Sequence, residues 1–370
     1  MNITLTKRPL ANALAAIGRI IPTRVSEPNL KLVHMYLDTS GEQSRLVLQA
    51  TNMNIDIEAA LEVDVPTDTS LENVALPGHV FADIVQALPG EFVQLEFEDT
   101  EVKISSGSYK TSLTRENVDV LPELEFPEDY PGTLPADDFK NLLTHTRYAC
   151  AAEEYQAIFR GVKLELRDGH SRAVATDGFR LAYYHTELTS GVEGECVVPA
   201  KSIDELMRLL GEDDVAFSIS NGRLSLATGD HRLNISLMEG TFPDYERIIP
   251  NDKVLTLTID TAELQAILKR VSLMADKSVN NRTDLYLKDG KLNLHSEGAY
   301  GKADEVLEVS HEGARSEFAV SYNVKYLLDA LQHIDGDARI TFSGETSPSL
   351  VTDPNKPSCL AMVVPLRVTG

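Results

Sequence analysis

The sequence predicts an α+β protein built as three tandem domains, each with two helices packed on antiparallel sheets. Three observations lead there: two helix templates that each recur three times, alternating strand-like sequence between them, and proline clusters that divide the chain into three parts of similar length.

The first template is seen in "PGHVFADIVQAL" (77–88), "PAKSIDELMRLL" (199–210) and "YNVKYLLDALQH" (322–333). Phe81, Ile84, Val85 and Leu88 fall at the i, i+3, i+4, i+7 spacing of an amphipathic helix. Ile203, Leu206, Met207 and Leu210 repeat the stripe, as do Val324, Leu327, Leu328 and Leu331, at steps of 122 and 121 residues. The second template comes earlier in each part: Leu10, Ala13, Leu14 and Ile17; Phe139, Leu142, Leu143 and Thr146; Leu264, Ile267, Leu268 and Val271. Between them, "RLVLQATNMNIDIEAAL" and "DLYLKDGKLNLHS" alternate at the strand period, and "RLSLATGDHRLNISL" reads as a hairpin turning at Gly229 and Asp230. Prolines 122, 127, 131 and 135, and then 243 and 250, mark the boundaries, giving expected domains 1–124, 132–250 and 252–370. A period this long leaves each unit large enough for its own core.

Composition excludes several classes. The chain has 370 residues, 42% of them apolar, and no apolar run near the length of about 20 that a spanning helix needs. Lys7, Arg8 and Arg19 interrupt any signal-like N-terminus, so a cytoplasmic protein with no membrane contact is expected. Cys150, Cys196 and Cys359 lie far apart without metal-ligand spacing and read as thiols in a reducing compartment. The glycosylation-like triplets at Asn2 and Asn234 fall in strand-like sequence and read as chance matches. A net charge of −23 argues against generic nucleic-acid binding, although an acidic protein can carry a local basic face.

Catalytic signatures are missing. "GAYGK" (298–302) lacks the spacing of a phosphate loop, and there is no GxGxxG, GxSxG or HExxH. The nine histidines are scattered, and the acidic runs read as solvated loops, so no catalytic residue, metal or cofactor is expected. Cations recur on the helices instead: Arg19 and Arg24 near the first, His145 and Arg147 on its second copy, Lys269 and Arg270 on its third, with Lys201, Arg208 and Lys325 on the other set. For any one of these an ordinary solvated charge is the competing reading. Their recurrence suits contact with phosphates without base reading.

Three further segments are "ATDGFRLAYYH" (175–185), "FPDYERIIP" (242–250) and "AMVVPLRV" (361–368). With the triplication, they resemble the bacterial sliding-clamp family, the beta subunit of replicative DNA polymerase III, over essentially the whole chain. The resemblance implies three tandem DNA-clamp domains and a head-to-tail homodimer closing into a six-domain ring around duplex DNA, without sequence preference. It implies a non-catalytic processivity factor that tethers the replicative polymerase and serves as a platform for the clamp loader, other polymerases and repair proteins, which dock through short linear motifs. A DNA-processing enzyme and a triplicated acidic scaffold that never touches DNA are the alternatives.

Carried over by position, the family's peptide cleft would take Phe159, Thr176, Gly178, Phe179, Arg180 and Leu181, and from the next quoted segment Pro243, Arg247 and Ile248. Asn323, Tyr326, Met362, Val363, Val364, Pro365, Leu366, Arg367 and Val368 would complete it. The DNA lining would include Arg24, Lys201, Arg147 and Lys269, and the ring joint Leu113 against Leu273 and Met274, for which an intradomain core role competes. Phe179 stands where some relatives have histidine, and Val364 and Leu366 where methionines are common; Asn280 is near a position aromatic in some relatives, and Thr369 and Gly370 extend past the usual end. Read without the family, "AMVVPLRV" is an edge strand, which Pro365 suits.

Overall fold

The computed structural model describes residues 1–24, 27–71, 73–116, 124–152, 156–313 and 315–367. Among the described residues six α-helices form: α1 (Lys7–Ile20), α2 (Gly78–Ala87), α3 (Ala136–Arg147), α4 (Ala200–Leu209), α5 (Thr261–Val271) and α6 (Val324–Leu331). Two fall in each repeat, where the templates predict them. α1 begins with Lys7 and Arg8 ahead of Pro9, a first-turn position where a missing N–H breaks no helical bond. The Asp260 carboxylate caps α5 by accepting from Glu263 N at 2.8 Å, and the Asn323 side-chain oxygen caps α6 by accepting from Lys325 N at 3.1 Å. The predicted stripes face inward: Leu10, Leu14 and Ile17 of α1 and Leu264, Leu268 and Val271 of α5 are buried.

The strands are antiparallel throughout the described pairings, and the sheets ignore the repeat boundaries. One eight-stranded sheet runs Val74–Pro77, Leu32–Asp38, Arg45–Thr51, Ile55–Glu62, His231–Ser236, Arg223–Thr228, Val215–Ser220, Gly132–Leu134. Its centre is a seam where Ile55–Glu62 of the first repeat pairs with His231–Ser236 of the second. A nine-stranded sheet runs Gly194–Pro199, Gly161–Arg167, His170–Thr176, Arg180–Thr186, Lys356–Val363, Ser349–Asp353, Asp337–Phe342, Leu255–Asp260, Ser310–Gly313. Here Arg180–Thr186 of the second repeat pairs with Lys356–Val363 of the third. The middle repeat therefore gives strands to both sheets, and the chain divides into two compact units: 1–137 with 201–237, and 138–200 with 238–370. The hairpin expected at Gly229 and Asp230 forms, with Thr228 opposite His231.

One expectation fails. The C-terminal segment is not an edge strand, because Lys356–Val363 is hydrogen-bonded on both sides, to Arg180–Thr186 and to Ser349–Asp353. Pro365 lies beyond the strand's end, where no ladder N–H is needed.

Each unit also holds a four-stranded sheet with an open edge. In the first unit the order is Asn2–Thr6, Phe92–Phe97, Glu101–Ser106, Tyr109–Thr114. In the second it is Gly301–Glu308, Lys291–Gly298, Arg282–Lys288, Glu317–Asn323.

Candidate functional site

The expected site residues gather at the seam between Arg180–Thr186 and Lys356–Val363, inside the second unit. Leu181 stands opposite Met362 and Arg180 opposite Val363 in the ladder. The turn before Arg180 is rigid: Gly178 N donates to Thr176 Oγ1 at 3.1 Å, while Phe179 N and Arg180 N donate to Asp177 Oδ1 at 2.9 and 3.0 Å. Gly178 takes φ +89°, a left-handed conformation that costs glycine least. Val364 N then donates to Phe179 O at 2.9 Å and Leu366 N to Ser321 O at 2.7 Å, so the C-terminal segment is tied to both sides of the seam.

Around Leu181 and Met362 lies a satellite apolar cluster of Val174, Val197, Phe242 and Tyr245, with Ile158, Leu350 and Leu360 partly buried against it. Phe159 meets Phe242 edge to face, with ring centroids 6.4 Å apart. At its margin Phe179 is 61% exposed and Ile248 47% exposed, large apolar groups that contribute little to the fold where they stand. Pro243 is half-buried, and the exposed Arg247 pairs with Asp244 at 2.7 Å.

One charged group spans the seam. Arg180 Nε pairs with Asp177 Oδ2 at 3.0 Å and Nη1 with Asp329 Oδ2 at 2.5 Å, and the guanidinium lies 4.5 Å from the Tyr326 ring and 5.7 Å from that of Tyr148. Burial pushes the Tyr326 hydroxyl up, so this end of the seam holds a neutral phenol under a fixed cation. Beside Pro243, Tyr245 Oη donates to Glu165 Oε2 at 2.6 Å and Lys163 Nζ pairs with Glu165 Oε1 at 2.8 Å. Burial opposes ionisation of Glu165, yet these two bonds hold its carboxyl below the usual range.

Sequence reasoning missed Phe242, Ile158, Leu350, Leu360, Tyr148 and Asp329. Phe242 was within reach, because it opens the quoted "FPDYERIIP" segment; the others become neighbours only through the shared sheet. Asn323 caps α6 and is nearly buried, with its backbone paired to Arg282. Val368 lies outside the described residues.

The expected cations are placed differently from one another. Arg24, Lys201 and Lys269 are exposed, whereas Arg147 is half-buried and donates from Nε to Ala200 O at 3.0 Å. Arg270 is committed to Glu305 through two bonds of 2.6 and 2.5 Å. His145 stacks on Tyr184 and contacts His333, with burial lowering its pKa, so it is no exposed cation. Leu113 lies on the open edge strand Tyr109–Thr114, partly buried. Leu273 is 79% exposed, which rules out a core role within the chain, and Met274 beside it is half-buried. Among the described residues no cluster of three or more His, Cys, Asp or Glu could hold a metal, and no helix is long and apolar enough to cross a membrane.

Three tandem repeats of paired helices on shared antiparallel sheets, with an apolar seam next to exposed Phe179 and Ile248, define the class of tandem-repeat DNA clamps. The comparisons agree at every repeat. The models of the DNA polymerase III beta subunit match in order: the N-terminal domain over 1–143, the central domain over 133–244 and the C-terminal domain over 246–367. A beta sliding clamp from Caulobacter vibrioides is 30% identical over 390 aligned residues, covering 100% of both chains. The DNA polymerase sliding clamp of Bacillus subtilis is 25% identical with a TM-score of 0.89, covering 100% of this chain and 99% of that one. A sliding clamp of Pseudomonas aeruginosa, solved bound to griselimycin, is 24% identical with a TM-score of 0.89 over 100% of both chains. The chain belongs to the DNA polymerase III beta subunit family, whose members are non-catalytic processivity factors.

Proposed function

We propose that the chain is a DNA sliding clamp for replication, which encircles duplex DNA as a head-to-tail homodimer and tethers the replicative polymerase to its template. The domains are 1–124, 132–250 and 252–370, and the ring is cytoplasmic. The observation that carries the closed ring is a pair of open sheet edges, Tyr109–Thr114 in one unit and Gly301–Glu308 in the other. Unpaired edges on soluble proteins invite pairing, and two different edges joined head to tail make a heterologous contact that closes when the rotation allows. Leu273, beside the second edge, is the apolar group such a joint would cover, with Met274 and Leu113 as its neighbours.

Arg24, Lys201, Arg147 and Lys269 line the hole and meet phosphates weakly enough for sliding. The acidic remainder of the surface does not hold the duplex, so retention depends on topology. The seam around Leu181 and Met362 docks short linear motifs of the polymerase, the clamp loader, other polymerases and repair proteins. An apolar anchor covers Phe179 and Ile248, Arg180 and Asn323 fix its orientation, and Val364 to Arg367 form a wall.

The joint is tested by Leu273→Asp. A buried, unpaired carboxylate at the interface converts dimer to monomer in native mass measurements at micromolar concentration, with helical content unchanged. A dimer that persists would place the joint elsewhere.

A further inference from the structure

The seam between the first and second repeats is built on the same plan as the one described above, and its residues differ at the positions that make the latter apolar. The turn Thr51-Asn52-Met53-Asn54 reproduces Thr176-Asp177-Gly178-Phe179 bond for bond. Met53 N donates to Thr51 Oγ1 at 2.9 Å, and Asn54 N and Ile55 N donate to Asn52 Oδ1 at 3.0 and 2.9 Å. Met53 takes φ +73° where Gly178 takes +89°. Ser236 N donates to Asn54 O at 2.9 Å, as Val364 N does to Phe179 O at 2.9 Å. Even the following segments correspond, "EFPEDYP" after the first repeat and "TFPDYER" after the second.

The ladders give the residue correspondence. In the first seam Asp56 stands opposite Asn234 and Glu58 opposite Arg232, with Gln49 beside Glu58. In the second, Leu181 stands opposite Met362 and Tyr183 opposite Leu360, with Val174 beside Tyr183. Five apolar or aromatic positions are thus replaced by five polar ones.

Those five are engaged. Arg223 Nη1 pairs with Asp56 Oδ2 at 2.6 Å, and Thr51 Oγ1 donates to Asp56 Oδ1 at 2.6 Å. Arg232 Nε donates to Glu58 Oε1 at 2.7 Å, while Gln49 Nε2 and Tyr36 Oη donate to Glu58 Oε2 at 2.7 and 3.3 Å. Asn234 Nδ2 donates to Glu125 O at 2.8 Å and accepts from Ser225 Oγ at 2.7 Å. The Arg232 guanidinium covers the Phe126 ring at 5.2 Å, so the residue equivalent to Phe242 is already occupied. Glu58 is 2% exposed and Asn234 1%.

We infer that the first seam is a closed copy of the docking groove, and that Gln49, Asp56, Glu58, Arg232 and Asn234 confine linear-motif docking to one groove per chain. An apolar anchor entering there would have to break charge-assisted bonds and leave buried carboxylates unpaired, which costs far more than covering apolar surface returns. The inference rests on the reading that the second seam docks such motifs.

The test is a graft of the second seam into the first: Gln49→Val, Asp56→Leu, Glu58→Tyr, Arg232→Leu and Asn234→Met in the full chain. Glu58 and Arg232 go together, which is far milder than removing one partner of a buried ion pair, and Arg223, which loses Asp56, is 46% exposed and can be solvated. The probe is a fluorescein-labelled hexapeptide with leucine and phenylalanine anchors, titrated to stoichiometry. The unmodified chain takes up one equivalent and the folded graft two. Two equivalents on the unmodified chain, or one on a folded graft, overturns the inference. No uptake by the unmodified chain removes the docking reading and this inference with it. If the graft fails to fold, as judged by its melting transition, the unmodified chain is read by peptide photocrosslinking instead: crosslinks at Phe179 with none at Met53 are the expected result, and crosslinks at Met53 overturn the inference.

Discussion

Phe179→Ala separates docking from folding more cleanly than any other change at the second seam. A phenylalanine side chain presents roughly 200 Å², and this one is 61% exposed, leaving about 120 Å² open to a ligand. At about 25 cal/mol per Å², complete coverage would contribute ~3 kcal/mol. A linear motif that covers half the open surface gains ~1.5 kcal/mol, or about tenfold in Kd. The fold loses little, because the turn that holds Phe179 is made by backbone N–H bonds to Thr176 and Asp177, which alanine keeps. Fluorescence anisotropy with the labelled hexapeptide should therefore show Kd rising about tenfold, beside an unchanged melting temperature. A Kd within twofold of the unmodified chain in a folded protein would refute the placement of the anchor at Phe179.

Arg24→Ala should reduce the slope of log affinity against log salt for duplex DNA by roughly 0.9, with the dimer unaffected; an unchanged slope puts Arg24 outside the DNA path. Acid stability should respond to His333, whose pKa burial pushes down to about 4, with His145 and Lys356 adding to the effect. An unfolded histidine titrates near 6.5, so the unfolded chain binds the extra proton first and stability falls as pH drops from about 6.5 to about 4. His333→Phe should flatten the decline in melting temperature across that window, while His34, also lowered to about 4, keeps part of it. Equal slopes for the two proteins would show that His333 does not couple to unfolding.

The helices were legible because each buries a continuous stripe, so Leu10, Leu14 and Ile17 could be read from spacing alone. The turn at Gly229 and Asp230 was equally local. The shared sheets were not, because pairing Ile55–Glu62 with His231–Ser236 joins residues about 175 positions apart and leaves no periodic trace. For the same reason the C-terminal segment looked like an edge: Pro365 marks the end of a strand, and nothing nearby shows that two other strands flank it. At the seam, the turn residues Thr176 to Arg180 were recognisable as a motif, whereas the partners of Arg180, Tyr148 and Asp329, come from other elements. His145 shows the limit of reading charge from helical position, since its ring is spent on Tyr184 and His333.

The claim of a closed ring that holds DNA by topology is tested most directly on nicked circular DNA. The protein is loaded by its clamp loader, separated from free protein by gel filtration, and the circles are then cut once with a restriction enzyme. The account predicts retention on the circles at salt concentrations that abolish ordinary phosphate contacts, and loss within the time needed to slide off once the DNA is linear. Retention that is equal on circular and linear DNA, or that vanishes with salt before any cut is made, would contradict it.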